Sequence, residues 1–169
     1  MNKENKKRFT ELYLNKKLRN YPSFIGRENC IPDPKLKEAG ANDLTRLVID
    51  FLTFNNCQAE RISSQGQYRD GKKQVTDCIG RQRTIGSGIW TPGTSTKGTA
   101  DISSTIPINV NGNIIGLSVK WEVKWQKDVQ SNYQKEYESD INKSGGKYFI
   151  IRTFDEFVEI YDGLLKIKL

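Results

Sequence analysis

The sequence contains no histidine. Ser-His-Asp and Cys-His catalytic arrangements therefore cannot form, and no metal site or general base can use imidazole. Only three cysteines are present, Cys30, Cys57 and Cys78, and they lack the close pairs that zinc sites require. Their odd number and wide spacing also argue against a disulfide framework and favour a reducing setting. An enzyme built from this chain must use carboxylates, lysines and hydroxyl groups, with a cation that prefers oxygen ligands.

Long apolar runs are also missing. No segment approaches the ~20 apolar residues that a membrane-spanning helix needs, so we expect no such helix. The basic N-terminus has neither the apolar region nor the cleavage site of a signal peptide, so we expect an intracellular protein of the cytoplasm. The 169 residues, 36% hydrophobic and 28% charged, are typical of a folded globular domain.

The formal charge of +7 favours a polyanionic partner, with nucleic acid first and an anionic membrane second. Residues 1–21 are strongly basic and predict a short amphipathic helix that ends before Pro22. This segment has two interpretations, a solvated extension or a basic arm along a phosphate backbone. We therefore divide the chain into an N-terminal extension and linker (1–40) and a folded domain (41–169).

The remaining pattern alternates between helices and strands. We expect a helix over 42–55, capped by Asn42 or Asp43, and a further helix from 129 to 143 that ends at Gly145-Gly146. The expected strands are 57–62, two joined by a hairpin tip at Asp70-Gly71, 100–106, a hairpin turning at Asn111-Gly112, 117–125 and 148–153, followed by a last helix capped by Thr153. This order predicts an α/β fold with a mixed sheet, helices on both sides, and parallel pairing of the 117–125 and 148–153 strands.

The strand over 117–125 carries a Glu-x-Lys triplet. Strict alternation places Glu122 and Lys124 on one face of it, opposite an apolar face, and the hairpin brings Asp101 alongside. Carboxylates of this kind suit Mg²⁺, which needs one or two of them and can also accept a strand carbonyl such as that of Val123. Because chance alone supplies roughly one such triplet per chain, an exposed charged face on an edge strand is the alternative.

Residues 79–100 contain no acidic residue. We expect an irregular, glycine-rich loop whose amides and hydroxyls contact phosphate and whose Trp90 stacks on a base. A mobile surface loop with Trp90 in the core is the alternative. The candidate nucleic-acid contacts in this loop and beside the triplet are Arg81, Arg83, Lys97, Thr99, Lys120 and Lys127.

Several blocks in fixed order resemble a known family. They are Gly98-Thr99-Ala100-Asp101, Trp121-Glu122-Val123-Lys124, Gln134-Lys135-x-Tyr137, and Gly145-Gly146-x-Tyr148-Phe149 with the apolar strand into Arg152-Thr153-Phe154-Asp155. In order and spacing these blocks are similar to the VRR-NUC branch of the PD-(D/E)XK nucleases over about residues 42–160.

The resemblance implies a restriction-endonuclease-like sheet and a DNA endonuclease that depends on Mg²⁺ or Mn²⁺. Asp101 and Glu122 would hold the metal, Lys124 would be catalytic, and Gln134 would assist with water or phosphate. Stand-alone members, many from phage, tend to be structure-selective and dimeric and include resolvases of four-way junctions. The implied partner is branched DNA in replication, recombination or repair, and a homodimer is compatible with the resemblance.

One position departs from the family pattern. The family usually has an acidic residue, often Glu, near the start of its first core helix, whereas this chain offers Asp43 and, second, Asp50. Asp43 is therefore a further candidate metal ligand, although it can also act only as a helix cap. A restriction-type or single-strand-directed nuclease on the same fold, or a catalytically silent DNA-binding module, are the alternative functions.

Overall fold

The computed structural model describes residues 1–63, 66–91, 93 and 96–166. The helices are α1 (Lys3–Asn20), α2 (Ala41–Phe54), α3 (Asn132–Lys143) and α4 (Phe154–Leu165). The strands are β1 (Gln58–Arg61), β2 (Gln67–Asp70), β3 (Lys73–Thr76), β4 (Gln82–Ile85), β5 (Gly88–Thr91), β6 (Ile102–Val110), β7 (Asn113–Val123) and β8 (Lys147–Ile151). The predicted α/β class with a mixed sheet is confirmed.

The main sheet has the strand order β1-β6-β7-β8. The β1/β6 and β6/β7 pairs are antiparallel, whereas β7 and β8 are parallel, as predicted for two strands connected through a helix. The turn between β6 and β7 is made by Asn111 and Gly112, whose φ angles are +51° and +87°. Two positive φ angles are what a two-residue hairpin turn of type I′ requires, so the predicted Asn-Gly tip is confirmed.

The core lies between the sheet and two helices. Leu44, Leu47, Val48, Phe51 and Leu52 repeat at helical spacing along α2 and are all buried. They share one hydrophobic cluster with apolar residues of α4, β6, β7 and β8. This packing fixes β7 as an interior strand with its apolar face against helices. Gly40, rather than Asn42 or Asp43, precedes the first helical residue of α2, so the predicted cap residues are wrong.

The N-terminal segment forms the helix that its sequence predicts. Phe9 of α1 is 1% exposed and packs edge-on against Phe54 and Phe154, with ring centroids 5.5 and 5.7 Å apart. The guanidinium of Arg8 donates two hydrogen bonds of 2.7 and 2.9 Å to Asp162 of α4. The helix therefore docks on the same core as the rest of the chain, with most of its lysines at the surface. No helix in the described ranges is both long and apolar enough to cross a bilayer.

Residues 66–91 differ from the expectation. Asp70-Gly71 is not a hairpin tip, because the chain continues through β3 to a turn at 77–81 and returns through β4 and β5. β3 pairs with β4 and β2 with β5, so the segment is a long two-stranded ribbon, which we call the β-arm. The predicted irregular loop is therefore wrong over 82–91. Trp90 is 62% exposed, which excludes a core position for it. Positions 92, 94 and 95 of that loop lie outside the described residues.

Candidate active site

The Glu-x-Lys triplet lies at the carboxyl end of β7. β6 and β8 flank this strand, and α3 follows it on the face opposite α2 and α4. Glu122 is 3% exposed and Lys124 is 5% exposed. The alternative of an exposed charged face on an edge strand is therefore wrong. A buried acid and a buried base on an interior strand need specific partners, because unpaired charge is costly away from water.

Asp101 lies directly before β6, beside the triplet. The pairing of Ile102 with Trp121 in the β6/β7 register places Asp101 across from Glu122. Oδ2 of Asp101 accepts a hydrogen bond of 2.9 Å from the backbone N–H of Val123. The two carboxylates therefore project from adjacent strands at one end of the sheet, as predicted.

Gly98 holds the segment before Asp101 against α3. Its φ is +80°, and a Cβ atom there would lie 2.3 Å from the backbone carbonyl of Tyr133. Only glycine accepts both the conformation and the close approach. The adjacent Lys97 ammonium lies 5.4 Å from the Tyr133 ring centroid, which reinforces the same contact. The Gly-Thr-Ala-Asp segment is thereby fixed to the first turn of α3.

Lys124, Glu122 and Gln134 form a closed triangle of polar contacts. Nζ of Lys124 lies 3.0 Å from Oε1 of Glu122 and donates to Oε1 of Gln134, also at 3.0 Å. Nε2 of Gln134 donates to the same Glu122 oxygen. The Lys124 ammonium also lies 3.6 Å from the exposed Asp128 carboxylate. Gln134 therefore contacts both charged groups from the helix that follows the strand, where it was predicted to face the site.

A helix cap positions Gln134. The Ser131 hydroxyl accepts from the Gln134 N–H at 3.3 Å, and Oε1 of Gln134 accepts from the Ser131 N–H at 2.9 Å. This reciprocal pair is a capping box, which satisfies two amides at the start of α3. The same amide oxygen that closes the cap receives the Lys124 ammonium. The start of α3 and the site are thus one hydrogen-bonded unit.

Tyr148 is a site residue that the sequence reasoning missed. Its hydroxyl lies on β8 and donates to Oε2 of Glu122 at 3.4 Å. Burial, and then the charge of Glu122, raises the pKa of Tyr148 far above its ordinary value, so the hydroxyl remains a donor. The register that pairs Tyr148 with Lys120 puts both on the Glu122 side of the sheet. Applying strand alternation to 148–153 would have identified it.

The protonation of Glu122 is perturbed. Burial raises the pKa of its carboxyl above the ordinary value, and the nearby negative charge of Asp101 adds to the increase. The hydrogen bond and positive charge of Lys124 oppose it without cancelling it. Perturbed carboxyl groups with specific charged partners are concentrated at functional sites, because chemistry needs groups whose ionisation the protein can tune.

The carboxylates fit a hard divalent cation. Oε1 of Glu122 is bonded by Lys124 and Gln134, whereas Oε2 receives only the long Tyr148 bond among the described residues. Asp101 likewise keeps Oδ1 available within the described part of the chain. Two oxygen donors on adjacent strands match the one or two carboxylates that Mg²⁺ or Mn²⁺ takes from a protein. Within the described ranges, no group of three or more acidic or cysteine residues forms a metal cage.

Neither candidate for the acidic residue of the first core helix joins the site. Oδ2 of Asp43 accepts from the backbone N–H of Ala39 at 3.2 Å, so the side chain closes the start of α2. Asp50 lies on the same helix, 3.9 Å from Arg46. Neither contacts Asp101 or Glu122, so the structure gives Asp43 a helix-terminal role in place of the predicted metal ligand. The first carboxylate of the family pattern is thus unreplaced among the described residues.

The candidate nucleic-acid contacts fall into two groups. Lys120 donates to the Ser103 hydroxyl on the site face, Thr99 bonds the Thr96 carbonyl before Asp101, and Lys127 is exposed just after the site. Arg81 and Arg83 lie instead at the distal end of the β-arm, where Arg83 contacts Asp77 at 3.4 Å. Lys97, Thr99, Lys120 and Lys127 are therefore near the site, whereas the two arginines reach outward from it.

Comparisons of the chain with protein-family models, with curated proteins and with solved structures give no match.

Proposed function

We propose that this chain is a divalent-metal-dependent DNA endonuclease of the PD-(D/E)XK kind, similar to the VRR-NUC branch. The observation that carries the proposal is the buried Glu122–Lys124–Gln134 triangle beside Asp101. It combines two hard oxygen donors with one ammonium group at the end of an interior strand. These are the groups that hydrolysis of a phosphodiester requires when no histidine is available.

The energetics of the triangle favour a functional role. A buried ion pair is often no more stabilising than well-packed apolar residues of the same volume, because both charges lose their hydration. The apolar neighbours Trp121 and Val123 show that this strand can be packed with such residues. A chain selected only for stability has little reason to place Glu122 and Lys124 here. Catalysis supplies that reason.

Each residue has a defined role in the proposed reaction. Asp101, Glu122 and the Val123 carbonyl would hold Mg²⁺ or Mn²⁺, which when bound lowers the pKa of water and neutralises phosphate charge. Lys124 would orient or deprotonate the attacking water, or bind the phosphate oxyanion. Gln134 holds the Lys124 ammonium at 3.0 Å and thereby fixes where it can act. Tyr148 stays protonated and helps to orient the Glu122 carboxylate.

The substrate we propose is DNA, with a preference for branched, flapped or four-way forms, in replication, recombination or repair. The formal charge of +7 supports a polyanionic substrate, and the resemblance supports structure selectivity and a homodimer. An intracellular location, in the cytoplasm, is consistent with three free cysteines.

A cleavage panel tests the proposal. Purified protein is incubated with linear, single-stranded, flapped and four-way DNA, each with Mg²⁺, Mn²⁺ or EDTA. We expect cleavage that requires the cation and is fastest on a branched substrate, and we expect Asp101→Asn to abolish it. Preferential cutting of linear duplex or single strands would favour the alternative nucleases. Binding without cutting on every substrate would overturn the enzymatic proposal and leave a DNA-binding module.

A further inference from the structure

The β-arm stands apart from the core. Its strands β2 to β5 each carry almost only exposed side chains, and none of its residues belongs to the hydrophobic cluster. Each side of the ribbon runs over about ten residues, which corresponds to about 30 Å of extended chain. A ribbon of this size with both faces exposed does not stabilise the domain by burial. Its sequence must therefore be explained by something outside the described chain.

The arm is anchored at the site. On one side, the Ile62 N–H donates to the backbone carbonyl of Asp101 at 2.8 Å, directly after β1. On the other side, the returning chain reaches Lys97 and Gly98, which contact Tyr133 at the start of α3. The segments that precede and follow the arm in the sequence therefore both lie beside the candidate metal ligand. A long molecule bound at Asp101 would lie close to these attachment segments.

Cations and aliphatic groups alternate across the ribbon. In both small sheets one face is built from cross-strand pairs of one cation and one aliphatic residue, namely Arg69 with Ile89, Lys73 with Ile85, and Arg83 with Val75. Ile85 and Ile89 are 53% and 62% exposed. Exposed aliphatic residues in such a regular arrangement mark a surface that is covered when the protein works. The cations paired with these aliphatic residues restrict the kind of partner that can cover this surface of the β-arm.

The charge of the arm identifies its partner as a polyanion. Five cations face only two acids between residues 66 and 91. Both acids accept hydrogen bonds within turns, Asp70 from the Lys72 N–H at 3.1 Å and Asp77 from the Ile79 N–H at 3.0 Å. Asp77 also lies 3.4 Å from Arg83, so the arm keeps a net positive charge after this pairing. A second copy of this chain, which also carries +7, is a poor match for such a surface.

Resting on the proposed nuclease function, we propose that the β-arm lies in a groove of duplex DNA next to the cleavage site. A two-stranded ribbon fits the major groove, and about 30 Å is close to one helical turn. On the face opposite the cations, β3 and β4 pair Gln74 with Thr84 and Thr76 with Gln82. The amides and hydroxyls of these residues suit base edges. A single-strand platform would need aromatic residues along its length, whereas the arm has one aromatic pair, Tyr68 with Trp90, at its foot.

The test compares two sets of charge-neutralising substitutions. The arm variant carries Arg69→Gln, Lys73→Gln and Arg83→Gln, and the matched surface control carries Lys35→Gln, Lys37→Gln and Lys143→Gln, which are exposed positions outside the arm. Both remove three exposed cations, so their net charges are equal. Binding to a labelled 30-base-pair duplex and to the corresponding single strand is measured by fluorescence anisotropy in EDTA at several salt concentrations.

We expect the arm variant to bind duplex at least tenfold more weakly and to reduce the slope of log K against log [salt] by about three. The surface control should bind within about twofold of the unmodified protein. A second variant, in which residues 72–86 are replaced by Asn-Gly, should show the same loss while unfolding at the same temperature. Equal losses in the arm variant and the surface control, a loss confined to single strands, or a shortened arm that alters only the oligomeric state in sedimentation would each overturn the proposal.

The binding assay separates this proposal from the proposed function. Because EDTA prevents metal-dependent cleavage, the binding assay can support the proposed role of the β-arm even if the protein cuts no DNA. Conversely, the unmodified protein could cleave DNA while the arm variant binds DNA as tightly as the unmodified protein. That result would reject the proposed role of the β-arm and leave the proposed nuclease function in place.

Discussion

Nζ of Lys124 lies 3.0 Å from Oε1 of Glu122, and both side chains are buried. Each charge therefore depends on the other for compensation in a region from which water is largely excluded. Gln134 contacts both and ties the pair to the first turn of α3. Removing one partner of such a pair typically costs ~3–5 kcal/mol, because the remaining charge is left buried and unpaired. Variants at this site must therefore be tested for folding as well as for activity.

Lys124→Ala should abolish DNA cleavage while DNA binding in EDTA stays within about tenfold of the unmodified protein. In the proposed reaction the Lys124 Nζ acts on the attacking water or the phosphate, whereas its burial leaves it little part in the exposed basic surface. Lys143→Ala is the matched control, since Lys143 is exposed in the last turn of α3 and should retain cleavage. Circular dichroism verifies that both variants are folded. A folded Lys124→Ala protein that cleaves at the normal rate would show that the assigned role is wrong.

Gln134→Ala should lower kcat by about 10- to 100-fold with a smaller change in DNA affinity, as is usual for residues that orient the groups around a metal. The substitution removes the acceptor that holds Lys124 and the donor to Glu122. Asn142→Ala, at an exposed position of the same helix, is the control. Single-turnover kinetics separate the two parameters. An effect on affinity alone would assign Gln134 to DNA binding and not to positioning.

Glu122 should make stability depend on pH in a specific direction. Burial raises the pKa of Glu122 in the folded protein above its unfolded value. Its contribution to the free energy of unfolding is therefore fully present below the unfolded pKa and is lost as pH rises through the raised folded pKa. Glu122→Gln removes this pH-dependent contribution. The stability of the variant relative to the unmodified protein should therefore increase as pH rises from below 4.5 to neutrality. Urea unfolding in EDTA across this range measures it, and a constant difference would contradict the raised pKa.

Much of the fold follows from patterns that local chemistry determines. The helical stripe of α2, the Asn111-Gly112 turn and the alternation along β7 were all sufficient to predict their elements. The shared face of Glu122 and Lys124, with Asp101 alongside, could be predicted because side-chain direction along a strand has a period of two. This alternation does not show that α3 covers the polar face of β7.

The errors arise where the structure depends on distant pairing. Asp70-Gly71 has the composition of a hairpin tip, yet β3 and β4 continue the ribbon beyond it, because β2 pairs with β5, whose partner residues lie 18 to 24 positions further along the chain. Asp43 was weighed as a metal ligand from its position near the start of a helix, but its own backbone neighbour Ala39 takes the carboxylate. Local sequence cannot show whether a metal ion or a backbone N–H donor binds such a carboxylate.

Phe9→Ala should destabilise the protein by about 3–5 kcal/mol, the usual cost of truncating a buried phenylalanine. Its ring is 1% exposed and meets Phe54 and Phe154 edge-on, so the cavity would open between α1, α2 and α4. Leu14→Ala, at a half-buried position of the same helix, should cost much less. Urea denaturation of both variants provides the comparison. Equal and small losses would mean that α1 is only loosely attached to the core.

Gly98→Ala should impair both folding and cleavage, whereas Gly112→Ala should affect only stability. Both glycines have positive φ, +80° and +87°, so each alanine pays the same order of backbone strain, about 1–3 kcal/mol. At Gly112 the new methyl group meets nothing within 4 Å, but at Gly98 it would lie 2.3 Å from the Tyr133 carbonyl. The segment must then move away from α3 and carry Asp101 with it, out of line with Glu122. Thermal unfolding and metal-dependent cleavage are measured on both variants, and cleavage by Gly98→Ala equal to that of Gly112→Ala would show that this contact does not position Asp101.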